Sequence, residues 1–272
     1  MKLLNGSELA GFIKERQAHQ VRALRQSLGV QPKLAVIVTI DHPVINTYIR
    51  VKQRYGEDLG VEVEVHRVKQ ADVPALIDAL NQDRSVHGII VQLPLEDPAE
   101  TDQIVDSVIP QKDVDALGKD AIYDPATPMA IMWLLAGYNI DLRGKKVLLI
   151  GRGKLVGAPL EKILTTTGID VSSVDRDTSD LESRVSEADV IITATGSPSI
   201  LFPDMIKQGA VVVDAGVASE EGRTVGDLAQ EVYGRDDLTV TPQKGGVGPL
   251  TVCALFENVI RAARESRESS QA

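Results

Sequence analysis

The stretch that decides the fold is Lys-Lys-Val-Leu-Leu-Ile-Gly-Arg-Gly-Lys-Leu-Val-Gly-Ala-Pro, residues 145–159. Its apolar run, residues 147–150, is short and lacks polar alternation, which is typical of a strand buried on both faces of a parallel sheet. Gly151, Gly153 and Gly157 follow, before an amphipathic segment. A strand, a glycine turn and a helix together direct backbone N–H groups at a phosphate. Because this glycine spacing is one residue longer than the commonest dinucleotide fingerprint, an ordinary strand-to-helix turn is the alternative.

Helical and strand patterns alternate on both sides of this stretch, which predicts an α/β fold with parallel sheets and right-handed crossovers. Charges and prolines interrupt the pattern at residues 110–128, which we interpret as the crossing between two lobes. Val-Glu-Val-Glu-Val at 61–65 predicts a strand with one wet face near a sheet edge. The predicted helices are 7–28, 44–59, 73–81, 100–109, one beginning at Pro128 after Thr127, 160–167 and 250–264. The predicted strands are 34–40, 61–67, 88–92, 147–150, 171–174, 190–194, 210–214 and 239–240.

Composition excludes several classes of protein. The 272 residues are enough for one large or two ordinary domains. A net charge of -10 and only 3% aromatic residues disfavour a nucleic-acid partner. No apolar run approaches the roughly 18 residues of a membrane helix, and no leader pattern stands at the N-terminus. The sequence therefore predicts a soluble, cytoplasmic protein without a membrane partner. The scattered histidines predict no metal site, and Cys253, in an apolar helical run, is expected in the core.

Five polar side chains stand where chemistry is expected. Tyr48 and Lys52 are four residues apart on a predicted helix and share a face, although a surface pair would have the same spacing. Gln92 ends a buried strand at the carboxyl end, where open α/β sheets bind ligands. Asp113 and Asp115 alternate faces in an extended segment, so only one can point into a cleft; a solvated turn is the alternative.

A second glycine cluster, Gly245-Gly246-Val247-Gly248-Pro249, precedes the last predicted helix. Three glycines in four residues cost backbone entropy, which favours a turn that closely approaches a ligand.

Together these motifs identify a family. In order they are Tyr48-Ile-Arg-Val-Lys52, Val91-Gln-Leu-Pro-Leu95, Lys112-Asp-Val-Asp115, Thr127-Pro128, the glycine turn 151–159, Ala194-Thr-Gly-Ser-Pro198, Asp214-Ala-Gly-Val217, Val225-Gly-Asp227 and Gly245-Gly-Val-Gly-Pro249. Most are weak singly, but nine in this order and spacing are specific. The chain resembles the bifunctional methylenetetrahydrofolate dehydrogenase/methenyltetrahydrofolate cyclohydrolase family over nearly its whole length.

The resemblance implies two lobes with a cleft between them. One is an N-terminal α/β folate-binding (catalytic) domain, residues 1–122, completed by the C-terminal helix at 249–272. The other is a Rossmann-type doubly wound dinucleotide-binding domain, residues 123–248. The family also implies a homodimer formed through the nucleotide lobe.

The resemblance also implies the roles of the polar residues. Lys52 is the central catalytic residue, Tyr48 packs on or orients the folate, Gln92 holds Lys52, and Asp115 anchors the pterin ring. A free lysine has a pKa of about 10.4, so service as a base near neutral pH requires a decrease of about 3 units, which a dry site and a neutral partner favour. A charged Lys52 that acts as donor and anchor is the alternative. The further folate contacts that the family implies are Val91, Leu93, Gly245, Gly246, Gly248 and Pro249.

The cofactor preference depends on charges near the nucleotide ribose. Asp175 favours the ribose hydroxyls of NAD, whereas Arg152 and Arg176 favour the 2′-phosphate of NADP. Because the family most often uses NADP, we expect NADP, with NAD as the alternative. The expected cofactor contacts are Gly151, Arg152, Gly153, Val156, Gly157, Arg176, Thr195, Gly196 and Val217.

The implied activity is NADP-dependent oxidation of 5,10-methylenetetrahydrofolate to the methenyl compound and its hydrolysis to 10-formyltetrahydrofolate, with tetrahydrofolate as the one-carbon carrier. The alternatives are a related Rossmann dehydrogenase with another substrate or no cyclohydrolase activity, and a non-catalytic NADP-binding protein. Retention of all four polar residues with implied roles disfavours the last. The chain departs from the family pattern at Ile45 (serine in the family), Ala116 (glycine), Ala126 (cysteine), Gly153 (serine), Lys244 (proline) and a shortened segment at 116–124.

Overall fold

The computed structural model of the chain describes residues 1–175, 177–216, 218–220 and 223–268. Arg176 and Val217, two of the expected cofactor contacts, lie outside the described residues. The chain divides into two compact units. The six-stranded unit contains Met1–Gly11 and Thr127–Thr251, and the three-stranded unit contains Phe12–Ala126 and the segment from Val252.

The described elements alternate as the sequence predicts. The strands are β1 (Lys2–Leu3), β2 (Lys33–Val38), β3 (Glu62–Arg67), β4 (Gly88–Val91), β5 (Val147–Ile150), β6 (Val171–Val174), β7 (Val190–Thr193), β8 (Val211–Asp214), β9 (Ala218–Glu220), β10 (Arg223–Val225) and β11 (Thr239–Val240). The helices are α1 (Gly6–Ala23, continued by a π-helical turn at Leu24–Leu28), α2 (Pro43–Leu59), α3 (Val73–Gln82), α4 (Thr101–Val105), α5 (Ala126–Gly137), α6 (Gly157–Thr166), α7 (Leu181–Glu187) and α8 (Val247–Glu268).

The six-stranded unit is built on a parallel sheet of order β1-β11-β8-β7-β5-β6. All four residues of β5 are buried, which confirms a strand covered on both faces. Its strand order reverses between β5 and β7, because the chain goes from β5 to β6 on one side and then crosses to β7 on the other. Such a topological switch point is where doubly wound sheets bind ligands, at the carboxyl ends of the strands.

The three-stranded unit repeats this arrangement on a smaller scale. Its parallel sheet has the order β3-β2-β4, with β3 at an edge as predicted, so its own switch point lies between β2 and β4. One face packs on α3 and α4 through a buried apolar cluster that includes Ile37, Ile77 and Ile89. Helix α2 begins with Pro43 in its first turn and ends at Gly60, whose φ of +79° is the left-handed conformation that favours glycine.

The structure differs from the predicted elements at several ends. Helix α8 begins at Val247 rather than residue 250, and α5 begins at Ala126, because a proline is tolerated within the first helical turn. Helix α4 ends at Val105, four residues before the predicted end at residue 109. Just after it, the Ser107 hydroxyl donates to the Ile104 carbonyl at 2.6 Å and competes with the helical main-chain hydrogen bond for that carbonyl. The hairpin β9–β10 was not predicted.

The first eleven residues also differ from their predicted place in domain 1–122. They belong to the six-stranded unit, because β1 pairs with β11 and the Lys2 N–H donates to the Leu238 carbonyl at 2.8 Å. A two-residue strand has no periodicity from which a sequence could predict it. A search of the described residues finds no helix long and apolar enough to cross a membrane.

Candidate functional site

Lys52 and Gln92 meet beside the switch point of the three-stranded sheet. Lys52 lies on α2, which follows β2, and Gln92 directly follows β4. The Lys52 Nζ donates a hydrogen bond of 2.7 Å to the Gln92 Oε1. The Gln92 Nε2 donates to the Leu93 carbonyl, and its main-chain N–H donates to the Ile37 carbonyl at 2.9 Å. The amide is therefore held with its oxygen toward the amine.

The surroundings of Lys52 disfavour its charge. Burial lowers the pKa of Lys52, and attraction to the carboxylate of Asp115 opposes that shift. Burial raises the pKa of Asp115, and Lys52 opposes the increase. Gln92 adds a hydrogen bond to the Lys52 amine without adding a charge, so it does not oppose the effect of burial on the Lys52 pKa.

Helix α2 presents a second side chain on the face of Lys52. Tyr48, one turn before Lys52, has 41% of its surface exposed, while Ile45 and Ile49 on the same helix are buried. An exposed aromatic ring one helical turn from a half-buried lysine offers a flat apolar surface to a planar ligand. The departure at Ile45 places an apolar residue in the core, where the family carries a serine three residues before the tyrosine.

Asp115 lies in a segment that is fixed along its length. The Ile89 N–H of β4 donates to the Lys112 carbonyl at 2.8 Å. The Lys112 Nζ donates to the carbonyls of Leu80, Asn81 and Asp83 at the C-terminal end of α3, at 2.7, 2.9 and 2.7 Å. A lysine that satisfies terminal carbonyls of a helix also interacts favourably with the helix dipole. The segment is thus held between a strand and a helix end.

The two aspartates of this segment have different partners. The Asp113 carboxylate, 4% exposed, accepts hydrogen bonds from the main-chain N–H groups of Gly118 at 2.9 Å and Leu117 at 3.3 Å. Asp113 therefore shapes the loop that follows it. Asp115 is the carboxylate whose charge acts on Lys52. Val114 and Asp115 form a turn, in which the Ala116 N–H donates to the Asp113 carbonyl at 3.2 Å, so this division does not come from the alternation of faces expected of an extended pair.

Asn258 also fixes this loop, and sequence reasoning missed it. It is 2% exposed on α8, and its Nδ2 donates to the carbonyls of Val114 and Asp124, both at 2.9 Å. One amide thus closes both ends of the loop that carries Asp115. The available signal was a single asparagine within an apolar helical run, since a buried amide requires hydrogen-bond partners.

The glycine turn after β5 lies at the switch point of the six-stranded sheet and is closely packed. Gly151 has a φ of +106°, and a Cβ there would lie 2.6 Å from the Ala194 carbonyl oxygen that follows β7. A Cβ on Gly157 would lie 1.9 Å from the Gly151 oxygen. Within the described part of the chain, no side chain caps the N-terminus of α6, where Val156 is the N-cap. A backbone cradle at an uncapped helix start fits a dinucleotide phosphate.

The other expected cofactor residues surround this turn. Arg152 is 61% exposed and lies 3.7 Å from Glu161, so its charge is accessible. A Cβ on Gly153 would meet nothing within 4 Å, which leaves open space where the family has a serine. Thr195 and Gly196 follow β7, beside Gly151. The Asp175 carboxylate accepts hydrogen bonds from the Asp177 N–H and the Thr178 hydroxyl. Some of the hydrogen-bonding capacity of Asp175, the residue that favours NAD, is therefore already used within the chain.

The second glycine cluster has a structural explanation within the six-stranded unit. The Ser7 N–H donates to the Gly245 carbonyl at 2.9 Å, and a Cβ on Gly245 would lie 2.5 Å from the Ser7 Oγ. A Cβ on Gly6 would lie 1.8 Å from the Gly246 oxygen. The close approach at these glycines is therefore to the start of α1. Gly248, by contrast, has open space around it, and Gly248 and Pro249 stand in the first turn of α8.

Family models match both units in chain order. The model of the tetrahydrofolate dehydrogenase/cyclohydrolase catalytic domain matches residues 4–115, and that of the NAD(P)-binding domain matches residues 125–267. The chain belongs to the tetrahydrofolate dehydrogenase/cyclohydrolase family. The resemblance found in the motifs is thereby confirmed.

Individual members of the tetrahydrofolate dehydrogenase/cyclohydrolase family align over nearly the full chain. The bifunctional protein FolD of Campylobacter jejuni is 39% identical, covering 97% of this chain and 99% of its own. A crystal structure of the C. jejuni enzyme has a TM-score of 0.90 at 38% identity, with the same coverage. The Trypanosoma brucei enzyme, solved with NADP cofactor and inhibitor, has a TM-score of 0.91 at 27% identity and covers 99% of this chain and 98% of its own.

Membership in the tetrahydrofolate dehydrogenase/cyclohydrolase family gives the departure at Ala116 a physical meaning. Ala116 has a φ of +56°, the left-handed conformation, directly after Asp115. The family's glycine accepts this conformation without steric cost, whereas a Cβ makes it unfavourable by about 1–2 kcal/mol. The turn is retained here because Asp113 and Asn258 hold its two ends.

We expect Ala116→Gly to stabilise the protein. Relief of the left-handed alanine exceeds the extra entropy of an unfolded glycine, for a net gain of about 0.5–1 kcal/mol and a rise in Tm of about 2 °C. Thermal unfolding measures the change. Asn139→Gly is the matched control, because Asn139 has the same φ of +56° but asparagine tolerates it. An equal or larger rise in the control, or a lower Tm for Ala116→Gly, would contradict the assignment of strain to Ala116.

Proposed function

We propose that this chain catalyses the NADP-dependent oxidation of 5,10-methylenetetrahydrofolate to 5,10-methenyltetrahydrofolate and the hydrolysis of that product to 10-formyltetrahydrofolate. The observation that carries the proposal is the contact between Lys52 and Gln92 with Asp115 nearby, in a chain of this family. The bifunctional relatives and the NADP complex of the trypanosomal enzyme support it.

In the hydrolytic step Lys52 acts as a base. A water oxygen bonds to the methenyl carbon, and the uncharged Lys52 amine accepts the proton that the water loses. The bond from that carbon to the pterin ring nitrogen then breaks, and the proton passes from Lys52 to this nitrogen. The hydroxyl of the intermediate loses its remaining proton to solvent as the formyl carbonyl forms. The formyl group stays on the other nitrogen. Gln92 supports this role because it fixes the amine through a neutral acceptor that does not stabilise the ammonium form.

In the oxidative step the chain positions the one-carbon bridge while the nicotinamide of bound NADP supplies the hydride acceptor. Tyr48 offers its exposed ring to the planar pterin, and Asp115 accepts hydrogen bonds from the pterin amino group. Val91 and Leu93 flank Gln92 and contact the same ligand. Gly245, Gly246, Gly248 and Pro249 stay proposed folate contacts of the six-stranded unit.

The proposed cofactor residues divide between the phosphates, the rest of the nucleotide and the 2′-phosphate of NADP. The turn at Gly151, Gly153, Val156 and Gly157 holds the phosphates through backbone N–H groups, and Thr195 and Gly196 contact the nucleotide at the turn after β7. Val217 stays a proposed cofactor contact. Arg152, with its exposed guanidinium, and Arg176 hold the 2′-phosphate that distinguishes NADP from NAD. We also propose a homodimer in the cytoplasm, on the family resemblance and the acidic composition.

The test is the near-ultraviolet absorbance of reduced nicotinamide when purified protein is mixed with methylenetetrahydrofolate and either NADP or NAD. We expect reduction of NADP at a higher kcat/KM than that of NAD, and hydrolysis of added methenyltetrahydrofolate without any cofactor. Reduction of neither cofactor would contradict the dehydrogenase assignment. A higher kcat/KM with NAD would contradict only the roles of Arg152 and Arg176.

A further inference from the structure

Two aspartates of the six-stranded unit, one half-buried and one fully buried, have no part in the function proposed above. Asp214 ends β8, and Asp227 follows β10 and is fully buried. Within the described residues, both carboxylates accept hydrogen bonds from N–H groups, and Asp214 also accepts one from a hydroxyl. Carboxylates buried among main-chain donors shape the backbone around them, because each oxygen fixes the N–H groups that it accepts.

Asp227 holds the turn that follows β7. Its Oδ2 accepts from the Thr195 N–H at 2.8 Å, and its Oδ1 accepts from the Ser197 N–H at 3.0 Å. Its main-chain carbonyl accepts from the Ile200 N–H at 2.8 Å. A single residue thus fixes both the start and the end of this turn, which contains Gly196 in the left-handed conformation at a φ of +63°.

Asp214 in turn holds Asp227. The Asp214 Oδ1 accepts from the Asp227 N–H at 3.1 Å, and its Oδ2 accepts from the Leu228 N–H at 3.2 Å. The two residues also interlock through glycines. A Cβ on Gly216 would lie 2.0 Å from the Asp227 Oδ1, and a Cβ on Gly226 would lie 2.0 Å from the Asp214 Oδ2. The Asp227 carboxylate therefore fills the space that a side chain on Gly216 would need. The Asp214 carboxylate fills the space that a side chain on Gly226 would need.

The turn that these aspartates shape lies at the switch point of the sheet. Its first carbonyl, that of Ala194, is the atom that a Cβ on Gly151 would meet at 2.6 Å. A shift of the turn would therefore reach the phosphate cradle as well as Thr195 and Gly196. We propose that Asp227 is a positioning residue for NADP, whose carboxylate holds residues 194–197 in the shape that receives the dinucleotide while Asp214 holds Asp227. This inference rests on the proposed function.

The test compares two activities of one variant. Asp227→Asn keeps the shape of the side chain but loses the charge, and its NH2 group faces a main-chain N–H. We expect the Kd for NADP, measured by titration calorimetry without substrate, to rise about tenfold, as for one charge-assisted hydrogen bond. Hydrolysis of methenyltetrahydrofolate transfers no hydride and needs no NADP. The kcat/KM of the variant for this reaction should therefore stay within about twofold of the wild-type value, which is a small change in activation free energy.

Asp189→Asn is the matched control. Asp189 also accepts a main-chain N–H, that of Lys146 at 2.9 Å, and pairs with Lys207, but it precedes β7 at the opposite edge of the same sheet. Its Kd for NADP should change less than about twofold, which is under 0.5 kcal/mol in binding. If Asp227→Asn does not fold, Asp227→Glu is measured in the same way, because it keeps the charge and adds one methylene. We again expect a higher Kd for NADP and nearly unchanged hydrolysis of methenyltetrahydrofolate.

The outcomes separate the two proposals. An unchanged Kd for NADP in the folded variant overturns the inference. An equal loss of NADP affinity and of cyclohydrolase activity also overturns it, because a role in general stability lowers both. A wild-type protein that neither binds nor reduces NADP contradicts the proposed function instead.

Discussion

Lys52→Met should abolish hydrolysis of methenyltetrahydrofolate, with kcat at least about 10³-fold below that of the wild type, as for loss of a positioned general base. Methionine has a similar length but cannot accept a proton. Lys52 is half-buried and its surroundings disfavour the charged form, so we expect its removal to cost little stability beyond the 2.7 Å hydrogen bond to Gln92. We therefore expect the Tm to change by only a few degrees while activity disappears, as measured by absorbance of the methenyl compound and by thermal unfolding.

A second lysine of the three-stranded unit, Lys69, provides the control for Lys52→Met. Lys69 is exposed, and Lys69→Met makes the same substitution without touching the site. Its kcat should equal that of the wild type. Undiminished hydrolysis by Lys52→Met would remove Lys52 from its proposed role, and a large fall in the Lys69 variant would show that net charge, rather than the base, sets the rate.

Gln92→Glu should shift the pH dependence of hydrolysis to higher pH. The variant keeps the acceptor oxygen but places a carboxylate against the Lys52 amine, and an opposite charge at hydrogen-bond distance raises a lysine pKa by about 1–3 units. In the proposed mechanism the reactive species is the uncharged amine, whose fraction falls as its pKa rises above the working pH. A rise of two units leaves about one hundredth of the neutral-pH rate, and the rate recovers as the pH increases through the new pKa.

A pH–rate profile of kcat measures this shift, and Gln111→Glu is its control. Gln111 is an exposed glutamine of the same unit, so the same substitution there should leave the profile unmoved. A Gln92→Glu profile that keeps the wild-type midpoint with a lower plateau would mean that Gln92 only aligns Lys52. A faster rate near neutral pH would show that the charged ammonium, the alternative open from the sequence, is the active form.

The sequence carried the parts of the fold and site that depend on local pattern. The buried run before Gly151, the helix with Tyr48 and Lys52, and the strand ending at Gln92 each follow from periodicity and terminal residues. The contact of Lys52 with Gln92 followed from the family resemblance, and the geometry of the three-stranded unit contains it. The catalytic and binding roles stay predictions that the variants test.

The remaining features depend on contacts distant in sequence. Asn258 lies more than 130 residues after the loop that it closes, and no local pattern links them. Glycine clusters were equally ambiguous, because Gly245 and Gly246 pack against the start of α1, whereas Gly151 and Gly157 shape a turn at a switch point. The motifs Asp214-Ala-Gly and Val225-Gly-Asp227 were visible, but only the structure shows that each aspartate lies against the other's glycine.

Neither unit is contiguous in the chain, and this affects the order in which a ribosome can complete them. The three-stranded unit needs Asn258, which is synthesised after the whole of the six-stranded unit's β5 to β11, and β1, made before everything else in that sheet, must wait for β11. Domains that are contiguous fold one after the other during synthesis. Here the loop with Asp115 cannot be closed until α8 has left the ribosome, and β1 cannot pair until β11 has, so neither unit can be completed before most of the other has been synthesised.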